Sequence, residues 1–204
     1  MHSPCVASLL IASVAAAAAP RGTPRALSPR NALGLELGRS SLAEVVSKLG
    51  PPRALYLEGE DGEAPNPQPD DDLVLRYSLE LAFSGHTHVC EVAVVIDNES
   101  YRVGSILINL VDPVSTKPLL IPVADIARTM AVEPEVLRVR PIAEATRSDA
   151  YLCIDPTGDY EVWLFPSRAL EIIFEGVGEK AVPRALRYEK RLFQGAAAYS
   201  PCPH

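Results

Sequence analysis

Apolar residues follow two kinds of spacing along this chain. At 42–49, Leu42, Val45, Val46 and Leu49 fall at i, i+3, i+4 and i+7, the spacing of one buried helix face. Ser41 and Glu44 precede and enter this stretch as an S-x-x-E capping box, which covers orphan backbone donors at a helix start. Gly50 supplies a C-terminal cap, and Pro51-Pro52 end the helix. The runs at 73–83 (LVLRYSLELAF), 89–96 (VCEVAVVI) and 101–110 (YRVGSILINL) are apolar, partly alternating and rich in β-branched residues. They predict strands, with Asp97-Asn98-Glu99-Ser100 as a hairpin turn between the last two. LGLELG at 33–38 reads as a short strand or turn where order begins.

The second half repeats this pattern. Val123, Ile126, Ala127 and Met130 carry the same helical spacing as the first helix, with Pro122 at the start. EIIFEG at 171–176 lines up with ELAFSG at 80–85, allowing for an insertion at 141–149. The expected fold class is therefore α+β, built as tandem repeats of a helix packed on antiparallel strands. The first repeat spans 33–112 and the second 113–194, with a tail at 195–204. Two unrelated helix-plus-hairpin units would account for the same matches.

The stretch LGRSSLAEVVSKLGPP at 37–52 resembles the opening of exported SmpA/OmlA (BamE-like) domains. The tandem helix-then-sheet plan is similar to that of the β-lactamase inhibitor protein. The resemblance implies an inhibitor-like or adaptor-like binding role. Two departures stand out: the lipoprotein Cys of BamE-like proteins is absent, and Ala131-Val132-Glu133-Pro134 stands where the second Gly-Pro belongs.

The N-terminus adds a targeting signal. Residues 1–19 end in CVASLLIASVAAAAA, a short apolar run closing on small residues, as a secretory signal peptide requires. It is shorter than the roughly 20 residues of a membrane-spanning helix. Cys5 precedes the apolar run, so it is not the lipid-bearing Cys of a lipoprotein. Residues 20–32, rich in Pro and Arg, read as a linker. A secreted or periplasmic location follows, with no stable membrane span.

Composition narrows the function classes. The 204 residues are 48% hydrophobic and carry a net charge of −7, which suits a packed core and disfavours binding to nucleic-acid phosphates. Export permits disulfides. After cleavage Cys90, Cys153 and Cys202 remain, an odd number, and a Cys90–Cys153 bridge or two buried free thiols are both open readings. Residues 57–72 contain seven carboxylates and no basic residue, and predict a solvated acidic loop. Asn98-Glu99-Ser100 matches a glycosylation sequon, which matters only in a eukaryotic secretory pathway.

Candidate chemistry is sparse. In a strand His86 and His88 would share one face and could ligate one ion, but a third ligand is not identifiable, and a loop at a strand end is the better reading. They read better as surface histidines, with a hydrolase using His86/His88 as the least favoured alternative. Asp70-Asp71-Asp72 lacks the spacing of a calcium loop and suits a negatively charged docking surface. Asp155 and Asp159 bracket a turn. Tyr77, Tyr160 and Trp163 are strand aromatics that form a binding surface if they project from the sheet. No catalytic residue, metal or cofactor is expected. The expected function is an exported, non-enzymatic protein-binding module that uses a sheet face and the acidic loop. The alternative is an envelope-assembly accessory factor. Either role takes another exported or envelope protein as partner.

Overall fold

The long β-branched runs set the frame of the molecule. In a computed structural model, the structure describes residues 25–28, 31–59, 62–63, 71–112, 114–131, 151–154, 159–165, 168–177 and 181–189. The segments expected to be the signal peptide (1–19) and the tail (195–204) lie outside the described residues, as do Asp70, Asp155 and Cys202. In chain order the elements are β1 (Arg25–Ser28), β2 (Asn31–Ala32), α1 (Leu42–Leu49), β3 (Ala54–Gly59), β4 (Gly62–Glu63), β5 (Asp72–Phe83), β6 (His86–Asp97) and β7 (Arg102–Asn109). They continue with α2 (Val123–Thr129), β8 (Tyr151–Ile154), β9 (Tyr160–Phe165), β10 (Leu170–Glu175) and β11 (Val182–Glu189).

Seven strands form a continuous antiparallel path in the order β5-β6-β7-β11-β10-β9-β8. Strand β3 joins the outer side of β5 antiparallel near its start, and β1 joins the same side parallel near its end. This overturns the expected α+β class with tandem helix-plus-sheet repeats. The molecule is mainly β: among the described residues its helices are only 8 and 7 residues long. The physical reason lies in the strand sequences. β5 and β6 each extend through 12 residues of alternating burial, so extended backbone dominates and the helices serve only as covers. Two further expectations shift. The supposed linker supplies β1 and β2, with Leu27 buried, and the acidic stretch supplies the end of β3 and all of β4.

Register divides the sheet into two faces. On one face Tyr77, Val92, Ile108, Leu186, Ile172 and Trp163 are direct cross-strand neighbours in a single row, and all belong to the core. Both helices cover this face. Helix α1 starts as its sequence dictates, with Ser41 Oγ accepting from the Glu44 N–H at 3.3 Å. It buries Val45 and Leu49, whereas Leu42 and Val46, expected on the same buried face, are exposed. Helix α2 buries Ile126 and Ala127, and Met130 Sδ, just past its end, accepts from the Tyr188 hydroxyl at 3.1 Å. Ser84, in the β5–β6 turn, donates its backbone N–H to Thr129 Oγ1 at 3.2 Å. Arg168, in the β9–β10 turn, donates to the carbonyls of Met130 and Ala131, both at 2.9 Å. Helix α2 is thus pinned at both sides of the sheet.

The cysteine question resolves through strand order. Cys90 lies on β6 and Cys153 on β8, five strand spacings apart, or about 24 Å. A disulfide needs Cα atoms within about 7 Å, so this pair does not bridge, and Cys90 is a free buried thiol. Burial pushes the Cys90 thiol up to about 12. Burial also pushes the Tyr77 hydroxyl up to about 12, against a smaller opposing pull from Arg25. Both groups keep their protons in the folded chain at pH values where the unfolded chain loses them, above 9.0 for the thiol and 10.0 for the phenol. Stability therefore falls as pH rises from about 9 toward 12. Urea midpoints at pH 8 and pH 11 check this. The midpoint should drop at the higher pH, and the drop should shrink in Cys90→Ala with Tyr77→Phe. An unchanged midpoint in the parent chain contradicts it.

Candidate functional site

The face opposite the helices is where the sheet presents polar chemistry. Its side chains alternate with the core residues: Arg76 and Ser78 on β5, Glu91, Ala93 and Val95 on β6, and Ser105, Leu107 and Asn109 on β7. On β11 and β10 the corresponding residues include Arg187, Glu171, Ile173 and Glu175. One transverse row runs Arg76, Ala93, Leu107, Arg187, Glu171 and Leu164, each a direct neighbour of the next. Leu107 and Ala93 at its centre are half-buried, flanked by arginines on both sides.

Cross-strand ion pairs tie this face together. Arg76 Nη1 lies 3.5 Å from Glu91, Arg187 Nη1 lies 3.4 Å from Glu171, and Arg184 Nε lies 3.0 Å from Glu175. Arg76 also donates to the Tyr56 hydroxyl at 3.0 Å and sits 5.0 Å from the centre of that ring, a cation–π contact. The phenol oxygen and Glu91 raise the Arg76 guanidinium further above its ordinary value, the phenol first. The Arg76–Glu91 and Arg184–Glu175 pairs reach solvent and add about 0–1 kcal/mol each, so they orient the side chains more than they stabilise the sheet, whereas the Glu171 carboxylate that Arg187 meets is buried. The result is an ordered surface of alternating charge around an apolar centre.

The residues singled out in the sequence scatter over the molecule. Trp163 and Tyr77 are core residues, at 1% and 3% exposure, so neither contributes to a binding surface. Alternation decides this: both share the face of Val92 and Ile108. Trp163 donates its indole N–H to the buried Glu161 at 2.7 Å. Tyr160, three residues earlier in β9 and on the opposite face, is 45% exposed. Asp71 and Asp72 are half-buried. Asp72 is used within the fold, where its carboxylate accepts the Asn98 N–H at 3.0 Å and ties the start of β5 to the β6–β7 turn.

His86 is exposed and His88 half-buried, with the His88 ring edge-on to Phe83 at 6.1 Å between centres. Both occupy β6, opposite Phe83 and Leu81, so their strand neighbours are apolar rather than ligating. Among the described residues no group of three or more His, Cys, Asp or Glu is placed to hold a metal ion. Among the same residues no helix is long and apolar enough to cross a membrane. The Arg76–Tyr56 clasp and the three ion pairs were missed in the sequence. The alternation around Arg76 in LVLRYSLELAF marks that residue as outward-facing, but its partners are set by register alone. No known family, curated protein or solved structure matches the chain.

Proposed function

We propose that the chain is an exported, non-enzymatic protein-binding module that engages its partner through the sheet face opposite the helices. The observation that carries this reading is the placement of the helices: α1 and α2 both lie on the core face, while the other face holds ordered ion pairs around half-buried Ala93 and Leu107, with Leu164, Glu171 and Ala185 buried toward its β9–β11 side. A polar surface with an apolar centre is the anatomy of a protein interface. The apolar run at 5–19 supports export, and cleavage there places the mature N-terminus near Pro20.

The test compares affinity-tagged mature chain with its Ala93→Arg, Leu107→Arg double variant, using cross-linking in the envelope and medium of the cells that make it. A single saturable partner is expected, with its yield falling at least tenfold in the variant while the circular dichroism spectrum is kept. Absence of any saturable partner, or equal capture by both chains, overturns the proposal.

A further inference from the structure

The two arginines of the central row turn outward. Arg76, Ala93, Leu107 and Arg187 are consecutive neighbours across β5, β6, β7 and β11. The Arg76 side chain is 48% exposed against 35% for Glu91, and that of Arg187 is 42% exposed against 8% for Glu171. Each pair thus sets its carboxylate deeper and its guanidinium nearer solvent. The charge that meets a partner beside Ala93 and Leu107 is positive, although each pair is neutral as a whole. The third pair reverses this order, with Glu175 52% exposed and Arg184 29%. Among these three pairs, outward positive charge is confined to the central row.

Both guanidiniums are held in place. Arg76 donates through Nε to the Tyr56 hydroxyl at 3.0 Å, lies over that ring, and approaches Glu91 through Nη1. Arg187 approaches buried Glu171 through Nη1. A guanidinium carries five N–H donors in a planar fork, so each arginine can take a second carboxylate without leaving the first. Tyr56 and Glu171 orient the two side chains before any partner arrives, which lowers the ordering cost of association. Arginine and tyrosine are also residue types on which interface energy concentrates.

We infer that the partner meets this face with an extended acidic segment, seating one carboxylate on Arg76, a second on Arg187 and an apolar residue between them over Ala93 and Leu107. The inference rests on the protein-binding reading above and names the chemistry of the partner. The two arginines stand three strand spacings apart, about 14 Å. In an extended segment, residues i and i+4 lie on one face about 13 Å apart, with i+2 between them. The pattern that fits is acid-x-apolar-x-acid, lying across the strands. Exposed Glu175 repels a carboxylate displaced toward the end of β10, which fixes where the segment sits. The attraction is local, because the chain as a whole carries a net charge of −7. A two-fold contact with a second copy, centred on Ala93 and Leu107, does not supply this segment. An axis along the row sets Arg76 against its own counterpart, and an axis along the strands sets Arg76 against Arg187. Like charges meet in both arrangements.

The test places a benzoylphenylalanine cross-linker at exposed position 78, two residues from Arg76 on β5, in the tagged mature chain and in the cells that make it. The expected product contains a partner peptide, read by mass spectrometry, with two Asp or Glu residues four positions apart. Its yield should fall at least tenfold when Arg76→Gln, Arg187→Gln and Glu171→Gln are combined, and should rise in Glu91→Gln. Changing Glu171 with Arg187 keeps a buried carboxylate from standing unpaired. Arg76→Gln alone, at a pair open to solvent, should lower the yield at least threefold with an unchanged thermal midpoint. A partner peptide without paired acids overturns this inference and leaves the sheet-face reading standing. So does a yield that the arginine changes leave intact while Ala93→Arg with Leu107→Arg abolishes it. A product with the mass of two copies of this chain overturns the choice of a different protein as partner. No product, or one that no change on this face weakens, overturns both readings.

Discussion

Trp163→Ala is expected to destabilise the protein by about 3–5 kcal/mol, the range for removing a buried aromatic side chain. The side chain is 1% exposed and packs in the row with Ile172, Leu186, Ile108 and Val92. Truncation leaves a cavity in a sheet core, and it also takes away the indole N–H that reaches buried Glu161 at 2.7 Å. A buried carboxylate that loses a donor adds its own penalty. Trp163→Phe keeps most of the volume and should cost less. Typical domains are stable by about 5–15 kcal/mol, so the Ala variant consumes a large part of the margin. Urea unfolding followed by circular dichroism checks the loss. A change below about 1 kcal/mol would mean that Trp163 is a surface residue after all.

Ile108→Ala should cost about 2–5 kcal/mol and should shift the whole protein in one transition. Ile108 lies on β7, between Val92 of β6 and Leu186 of β11, where the two meanders of the sheet meet. Trp163 is the only tryptophan in the chain and reports from β9, three strands away. In one cooperative sheet, tryptophan fluorescence and far-ultraviolet circular dichroism share a midpoint and shift together in the variant. Two separated midpoints would show that the strands on either side of β7 and β11 unfold independently.

Local pattern made some elements legible and long-range pairing hid the rest. The capping box at Ser41 and the Gly50-Pro51-Pro52 stop gave α1 its bounds, and the Asp97-to-Ser100 turn falls between β6 and β7. Periodicity overestimated the helix's buried face, because only Val45 and Leu49 reach the core while Leu42 and Val46 stay exposed. The expected α+β class failed because two amphipathic helices carry a strong local signal, while the joining of β7 to β11 carries none. For the aromatics, face was decided by register. Tyr160 and Trp163 are three residues apart, so they point to opposite faces, and a reading of composition treats them alike. The ion pairs joining Arg187 to Glu171 and Arg184 to Glu175 depend on pairing that local sequence does not encode.

The position of β11 also sets when the fold can close. This strand ends at Glu189 and pairs with β7, whose last residue is Asn109, so the two are joined across a long stretch of chain. Contacts that distant in sequence slow folding, because loop closure precedes any gain from pairing. Until β11 arrives, β7 presents an open edge carrying Ile106 and Ile108, the kind of edge on which other chains template. A chain that ends before β11 keeps that edge bare, so truncation ahead of residue 182 exposes a strand edge that the complete sheet covers.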